Sequence, residues 1–324
     1  MSTVKLESLS RRAFLALSAA GALAGSMVGA AAKEAMKGDK NAPWYRFKIG
    51  DFEATVVSDG AINIGKYADL YSKTPKEQVE AFVKGEFLSP DAILLQENCL
   101  VLNTGDKLVL FDTGTGRAKA FGDGAGRLGA SLAAAGIKAE DIDIVLLTHG
   151  HIDHLSGLMA ADKRLFPNAQ IAISKTDFDF WTDQGKLSAP GLKVLIDAAR
   201  ANLLPNQDRL LFVENGKEPI KGVTAISTPG HTPGHVSYAI ASGSVTFLFA
   251  GDFATHSAIS FKHPDWDFGF DSDPATASAT RVKMLDMAAA ERMTLITYHF
   301  AFPGVGYVAK DGGAYRYVPA SMEF

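Results

Sequence analysis

Apolar and polar positions along this chain alternate in short bursts, and each burst bounded by turn residues reads as a strand. Residues 52–58 alternate, are rich in β-branched side chains, and end at Ser58-Asp59-Gly60. Residues 93–102 and 107–111 read as two strands joined through Asn103-Thr104-Gly105-Asp106, a hairpin signal, and the second strand ends in Asp112-Thr113-Gly114. A helix start is expected at Thr74-Pro75-Lys76-Glu77. Another helix is expected over 128–135, stopped by Gly136. The mainly apolar run 142–147 predicts a buried strand, and 170–174 a short one after Pro167-Asn168. Phe178, Phe180 and Trp181 form an aromatic cluster, and 192–204 predicts a helix ended by Pro205. The remainder predicts strands at 223–227, 236–241, 245–250, 295–297 and 315–318, with a helix over 275–290. Hairpins and helices thus occur twice in succession, and no Pro/Ser-rich linker divides them. The expected fold is α/β, one domain of two similar halves with two mixed sheets sandwiched between outer helices.

The N-terminus reads differently. Ser10-Arg11-Arg12-Ala13-Phe14-Leu15 is a twin-arginine pattern, followed by an Ala- and Gly-rich apolar run over 13–32 that closes on Ala30-Ala31-Ala32. The run is weak for a membrane span, so residues 1–32 read as a cleaved bacterial twin-arginine signal. The expectations are a periplasmic or secreted protein, the twin-arginine export machinery as a partner, and a domain over 33–324 whose first ten residues are a polar lead-in. Loss of Lys5, Arg11, Arg12 and Glu7 moves the net charge from −4 to −6. No basic stripe is present, which excludes nucleic acid as an expected partner. The single cysteine, Cys99, allows no intramolecular disulfide and reads as a small buried hydrophobe. Residues 114–126 are Gly-rich but lack both the phosphate-loop Lys-Ser/Thr and a Gly-x-Gly-x-x-Gly spacing, so no nucleotide site is expected there.

Chemistry concentrates in Thr148-His149-Gly150-His151-Ile152-Asp153-His154, on the loop expected after the strand 142–147. Three imidazoles and a carboxylate this close cost several kcal/mol if buried without partners. Imidazole nitrogen and carboxylate oxygen are also the preferred non-sulfur ligands of zinc. His149 and His151 can face one side of an extended loop while Asp153 and His154 serve a neighbouring position, which suggests two metals. Further ligands are needed, and three residues sit just past apolar strands: His231, Asp252 and His299. His235, in a tight Pro-Gly-His turn, reads as a support for the ligands. His256 and His263 have no such context and read as structural.

The order His-x-His-x-Asp-His, Gly-His-Thr-Pro-Gly-His, Gly-Asp and a late His resembles the metallo-β-lactamase superfamily over essentially the whole mature chain. Gly50-Asp51-Phe52-Glu53, Asn103-Thr104-Gly105, Gly126-Arg127-Leu128, Phe166-Pro167-Asn168-Ala169, Phe302-Pro303-Gly304 and Tyr315-Arg316-Tyr317-Val318-Pro319 are similar to its methyl parathion hydrolase-like and lactonase branch. The resemblance implies an αββα sandwich, two divalent metal ions per chain, commonly zinc, and a homodimer. It implies His149, His151 and His231 on one metal, Asp153, His154 and His299 on the other, and Asp252 bridging. His151 disfavours the di-iron oxygen-reducing branch, and Asp252 supplies a carboxylate that true β-lactamases of the superfamily lack. The chain lacks the C-terminal helical region of glyoxalase II. Ile152 departs from the Pro of many relatives, and residues 66–84 and the stretch around Leu192 match poorly.

The function implied is an exported binuclear metal-dependent hydrolase of lactones or aryl esters, with promiscuous organophosphate triesterase activity, working through a metal-bridging hydroxide. Asp153 and Asp252 are the expected catalytic carboxylates. Phe121, Trp181 and Phe270 are the candidate substrate pocket, with Phe178 and Phe180 nearby. Lys119 and Lys175 read as solvated surface, so a small neutral ester, lactone or phosphotriester is the expected substrate. The alternatives are a β-lactamase or thioester hydrolase of the same fold, and a metal-binding protein without catalysis.

Overall fold

A computed structural model describes residues 41–189 and 191–322. The twin-arginine segment and its cleavage site lie outside the described residues. Seven strands form the first sheet, in the order β1 (Trp44–Ile49), β2 (Phe52–Asn63), β3 (Leu94–Asn103), β4 (Leu108–Phe111), β5 (Ile144–Leu146), β8 (Gln170–Ser174) and β9 (Leu210–Val213). Two short strands, β6 (Met159–Ala160) and β7 (Lys163–Arg164), pair only with each other. Six strands form the second sheet, in the order β10 (Val223–Ser227), β11 (Val236–Ser242), β12 (Val245–Phe249), β13 (Thr294–Ile296), β14 (Val305–Asp311) and β15 (Ala314–Pro319). Both sheets are mixed. The first is antiparallel from β1 to β4 and parallel from β4 to β9, and in the second β12 and β13 are the parallel pair.

The two sheets bury their inner faces against each other. Val56, Leu100, Phe111 and Leu146 from one meet Tyr238, Ile240, Phe249 and Ile296 from the other in a single core. Phe111 stands at the centre, its ring 5.5 Å from Tyr238 and 5.1 Å from Phe249. Each such side chain contributes about 1.5–3 kcal/mol by leaving water. Helices cover the outer faces. Pro274–Ala290 begins at an Asp273 cap with proline in its first turn, and lays Met284, Leu285 and Ala288 on Leu248, Leu295 and Val308. Lys175–Thr182 is capped by Ser174, which accepts from the Asp177 N–H, and packs with Lys193–Leu203 on the first sheet. This is the expected sandwich of two mixed sheets between outer helices.

Among the additions to the pattern read from the sequence are three strands and one helix. β1 and β14 alternate only loosely between buried and exposed positions, and β9 is four residues long. β14 and β15 meet at Gly312-Gly313, a two-residue turn signal that marks the hairpin once a strand is sought on its N-terminal side. The aromatic cluster Phe178-Phe180-Trp181, for which the sequence predicts no element, is helical. It lies on Lys175–Thr182, whose buried residues Asp177 and Trp181 are four apart on one face.

Candidate metal centre

All the strands that matter release their chain at one edge of the sandwich. β4 ends at Asp112, β5 at Thr148-His149, β12 at Gly251-Asp252 and β13 just before His299. The seven-residue motif is not wholly a loop. His151 is extended, but Ile152–Leu155 makes one helical turn, so Asp153 and His154 project from a helix. Asp112 fixes the start of the motif, its carboxylate accepting from Thr148 N–H and Oγ1–H, each at 2.8 Å. Gly150 has no room for a side chain, since a Cβ there would lie 2.2 Å from the Trp181 ring. Buried Asp177 ties this loop to the one carrying His231. It accepts from Gly150 N–H at 2.8 Å, Gly234 N–H at 2.7 Å and Thr232 Oγ1–H at 2.9 Å. Asp252 is aimed by its own backbone, whose N–H donates to His235 Nε2 at 2.8 Å after Gly251 turns at a φ of 57°.

The seven expected ligands converge. His149, His151 and His231 form one group whose ligand atoms all lie within 4.8 Å, and Asp153, His154 and His299 form another. His149, His154 and Asp252 form a third group that overlaps both. Asp252 Oδ2 is 3.1 Å from His299 Nε2 and 3.3 Å from His231 Nε2, and Oδ1 is 3.5 Å from His154 Nε2. Three atoms in this cluster, His149 Nε2, His154 Nε2 and Asp252 Oδ1, are buried and have no hydrogen-bond partner. Orphaned buried atoms of this kind cost about 1–3 kcal/mol each, more where charged. An all-nitrogen-and-oxygen donor set with its lone pairs turned inward fits divalent cations of the zinc type.

The far side of four of the five imidazoles is held, while His151 Nδ1 faces His231 Nε2 at 3.0 Å. His154 Nδ1 is 2.9 Å from Asp112 Oδ2. His231 Nδ1 is 2.9 Å from Asp271 Oδ1, and Asp271 Oδ2 accepts from Arg281 at 3.0 Å. His299 Nδ1 meets the Gln96 carbonyl at 2.9 Å, and His149 Nδ1 meets Thr148 Oγ1 at 2.9 Å. Such contacts fix the tautomer and direct the other nitrogen into the cluster. With protein groups alone, burial lowers the pKa of His149 and His151, and their neighbouring imidazoles lower it further. Burial opposes charge on His154, His231 and His299 as well. For these three the carboxylates outweigh it, Asp252 with Asp112 for His154 and Asp252 with Glu97 for His299. Hydrogen bonds to Asp252 and Asp271 push His231 up to about 9. Burial would raise Asp252, yet His299 and His154 hold it well below the usual carboxylate range. The cluster therefore draws positive charge to itself.

A small cavity opens over the cluster. Phe121 and Phe270 line it together with Ile64, Leu95, Ile152, Leu195 and Phe268, and Thr255 adds a hydroxyl. Trp181 requires a correction. It is fully buried and does not line the cavity, because its helix turns it inward to pack on His151, with ring centres 5.0 Å apart. Phe180 packs on Trp181 and Phe178 on Phe212, so neither reaches the cavity. Leu195 and Phe268 belong to parts of the sandwich wall for which the sequence offered no site signal. Asp112 did carry one, since it follows a strand just as the ligands do. Lys119 pairs with Asp123 at 2.6 Å and Lys175 with Asp179 at 2.6 Å, both on the surface.

The remaining histidines serve the frame. His235 places its Nδ1 2.7 Å from Thr228 Oγ1, and burial pushes its pKa down to about 3. His256 Nδ1 accepts from the N–H groups of Ala258 and Ile259, with its Nε2 2.8 Å from the Tyr67 hydroxyl. His263 stacks on Trp266.

This arrangement agrees with known proteins. The sequence model of the Metallo-beta-lactamase superfamily matches residues 92–299, a span that runs from the start of β3 to the last ligand. An N-acyl homoserine lactonase of Bacillus sp. is 27% identical over 218 residues, covering 62% of this chain and 80% of that protein. Among solved structures, AidC, a dizinc quorum-quenching lactonase in complex with its product, superposes with a TM-score of 0.81 at 30% identity, covering 87% of this chain and 98% of that one. The hydrolase AbOPH superposes with a TM-score of 0.82 at 28% identity, covering 88% of this chain and 100% of that one. The chain belongs to the metallo-β-lactamase superfamily and is a metallo-hydrolase of it.

Proposed function

We propose that this chain is an exported hydrolase of neutral lactones and aryl esters, carrying two zinc ions and turning over neutral phosphotriesters as a side activity. The observation that carries the reading is the wall of the cavity. Among the described residues, above a cluster of seven ligand side chains, it presents aliphatic and aromatic groups, one hydroxyl and no lysine or arginine. Such a wall accepts an apolar acyl or aryl group and offers nothing to hold a carboxylate or a phosphate monoester. The lactonase relatives support the lactone class.

His149, His151 and His231 would hold one cation, Asp153, His154 and His299 the other, and Asp252 would reach both. The cations when bound supply Lewis acidity, which lowers the pKa of a water and polarises the substrate carbonyl. Asp252 orients both halves of the ligand set through its contacts to His154, His231 and His299. Asp153 lines the cavity beside them, and its carboxylate would pass the proton of the attacking water to the departing alkoxide oxygen. Phe121, Phe268 and Phe270 exclude water from the acyl or aryl side.

The test is a substrate panel at fixed metal loading. Dihydrocoumarin, an acyl-homoserine lactone, a neutral aryl ester and a neutral phosphotriester are expected to exceed a phosphate monoester and a glutathione thioester in kcat/KM by at least roughly tenfold, about 1.4 kcal/mol. Chelator should abolish all turnover. An anionic substrate beating every neutral one by the same margin would overturn the assignment. Faster hydrolysis of a chromogenic cephalosporin would favour a β-lactamase, and bound metal without any turnover a purely metal-binding protein.

Export rests on Arg11-Arg12 ahead of a weakly apolar run. Replacing both with lysine is expected to leave uncleaved precursor in the cytoplasm, read by fractionation and blotting. Mature protein reaching the periplasm regardless would contradict the twin-arginine route. The homodimer follows from the family resemblance, and light scattering should return twice the mass of the mature chain.

A further inference from the structure

His299 comes from the second sheet, but it is positioned by the first. The Gln96 N–H donates to the His299 carbonyl at 3.2 Å, and the Asn98 N–H to the Tyr298 carbonyl at 2.9 Å. Asn98 Nδ2 donates to the carbonyls of Thr297 and Phe300, at 3.2 and 2.8 Å. Between these two residues on β3 stands Glu97. It is wholly buried, and neither carboxylate oxygen has a hydrogen-bond partner. Among the described residues its one ion-pair contact is His299 Nδ1, 3.4 Å from Oε1.

A carboxylate buried this way is expensive, and an amide or an apolar side chain at the same place would be cheaper for the fold alone. Its placement repeats a pattern. Asp112 and Asp271 lie 2.9 Å from Nδ1 of His154 and His231, and Glu97 lies 3.4 Å from Nδ1 of His299, beside the Gln96 carbonyl to which that nitrogen donates at 2.9 Å. The charge of Asp271 is answered by Arg281. Glu97 has no guanidinium or ammonium beside it, and burial pushes its carboxyl up to about 8 against the pull of His299, so its charge is left to be matched by a cation held on the other side of the ring.

We propose that Glu97 is a positioning residue for His299, whose buried negative charge keeps the imidazole turned with Nε2 toward the cluster and strengthens the grip of Asp153, His154 and His299 on a divalent cation. This rests on the reading that those three residues hold one of two metals. Carboxylates behind a ligating histidine raise its basicity, and their loss typically weakens metal binding by about 10–100-fold.

The experiment is zinc competition with a chromophoric chelator on Glu97→Gln, which keeps the volume and removes the charge. The wild-type chain should hold two equivalents. The variant should keep the first with unchanged affinity and release the second about 10–100-fold more readily. The Tm of the chelator-stripped variant should match or exceed that of the stripped wild type, because neither Glu97 oxygen has a hydrogen-bond partner to lose and burial already disfavours its charge. Glu97→Asp, which keeps the charge but draws it away from the ring, should weaken the second site less than Gln and provides the reading if Gln does not fold. Either variant holding both equivalents with wild-type affinity would overturn the proposal. So would a parallel loss of both sites and of stripped Tm, the signature of a packing role. One equivalent or fewer in the wild type would remove the binuclear reading and the proposal together, whereas wild-type behaviour of the variants at two equivalents sinks the role of Glu97 alone.

Discussion

Asp252→Ala is expected to lower kcat/KM by on the order of 10³-fold, about 4 kcal/mol of transition-state stabilisation, while the fold survives. The size of the effect follows from position. Asp252 is the one side chain whose oxygens approach imidazoles of both ligand groups, with Oδ2 near His231 and His299 and Oδ1 near His154. Removing any other ligand injures one group, but removing Asp252 disconnects them. Survival of the fold follows from what the side chain does not do. Its interactions are with imidazoles of the cluster, and its backbone N–H donates to His235 whatever the side chain is. The melting temperature of the chelator-stripped variant should therefore stay within a few degrees of the wild type, and zinc content should fall below two equivalents. Near-normal turnover with both equivalents bound would show that Asp252 does not join the two groups.

That joint position was legible in the sequence for a physical reason. Ligands of this fold follow apolar strands, and an apolar run closed by a polar residue can be read in one dimension. The strands ahead of His149, His231, Asp252 and His299 were all found from their apolar runs, to within a few residues at their ends. What could not be read is whatever depends on the direction of a helix face. Trp181 and Asp177 lie four residues apart on one helix, and the sequence alone gave no reason to turn that face inward. An aromatic placed near the motif in sequence was thus assigned to the cavity when it packs beneath it. Cavity residues such as Leu195 and Phe268 carry no chemistry of their own, so only packing distinguishes them from any other apolar side chain. Glu97 was hidden for the opposite reason. A polar residue inside an apolar strand reads as the exposed side of an alternation, yet both faces of β3 are covered at that point.

Asp177→Ala is expected to damage the protein through the frame alone, with a loss of about 3 kcal/mol and a fall in melting temperature of roughly 5 °C for a domain of this size. Asp177 is fully buried and touches no substrate-facing atom. Its two oxygens accept from the Gly150 N–H of one ligand loop and from the Gly234 N–H and Thr232 Oγ1–H of the other. Alanine leaves three donors without an acceptor in a space closed by Trp181 and the Gly234 turn. Each orphan costs about 1–3 kcal/mol. Part of that is returned, because burial already pushes the Asp177 carboxyl above its usual range against those same hydrogen bonds, and the buried charge leaves with the side chain. The net falls near the lower end of the sum. Asp177→Asn should lose less, since it keeps one carbonyl acceptor while its amide opposes a donor. Both variants should also bind zinc more weakly at His149, His151 and His231, because Gly150 and Thr232 hold the loops that carry them. Thermal unfolding of the chelator-stripped proteins isolates the frame from the metal. A stripped melting temperature within about 2 °C of the wild type for Asp177→Ala would mean that these three hydrogen bonds do not join the two loops in solution.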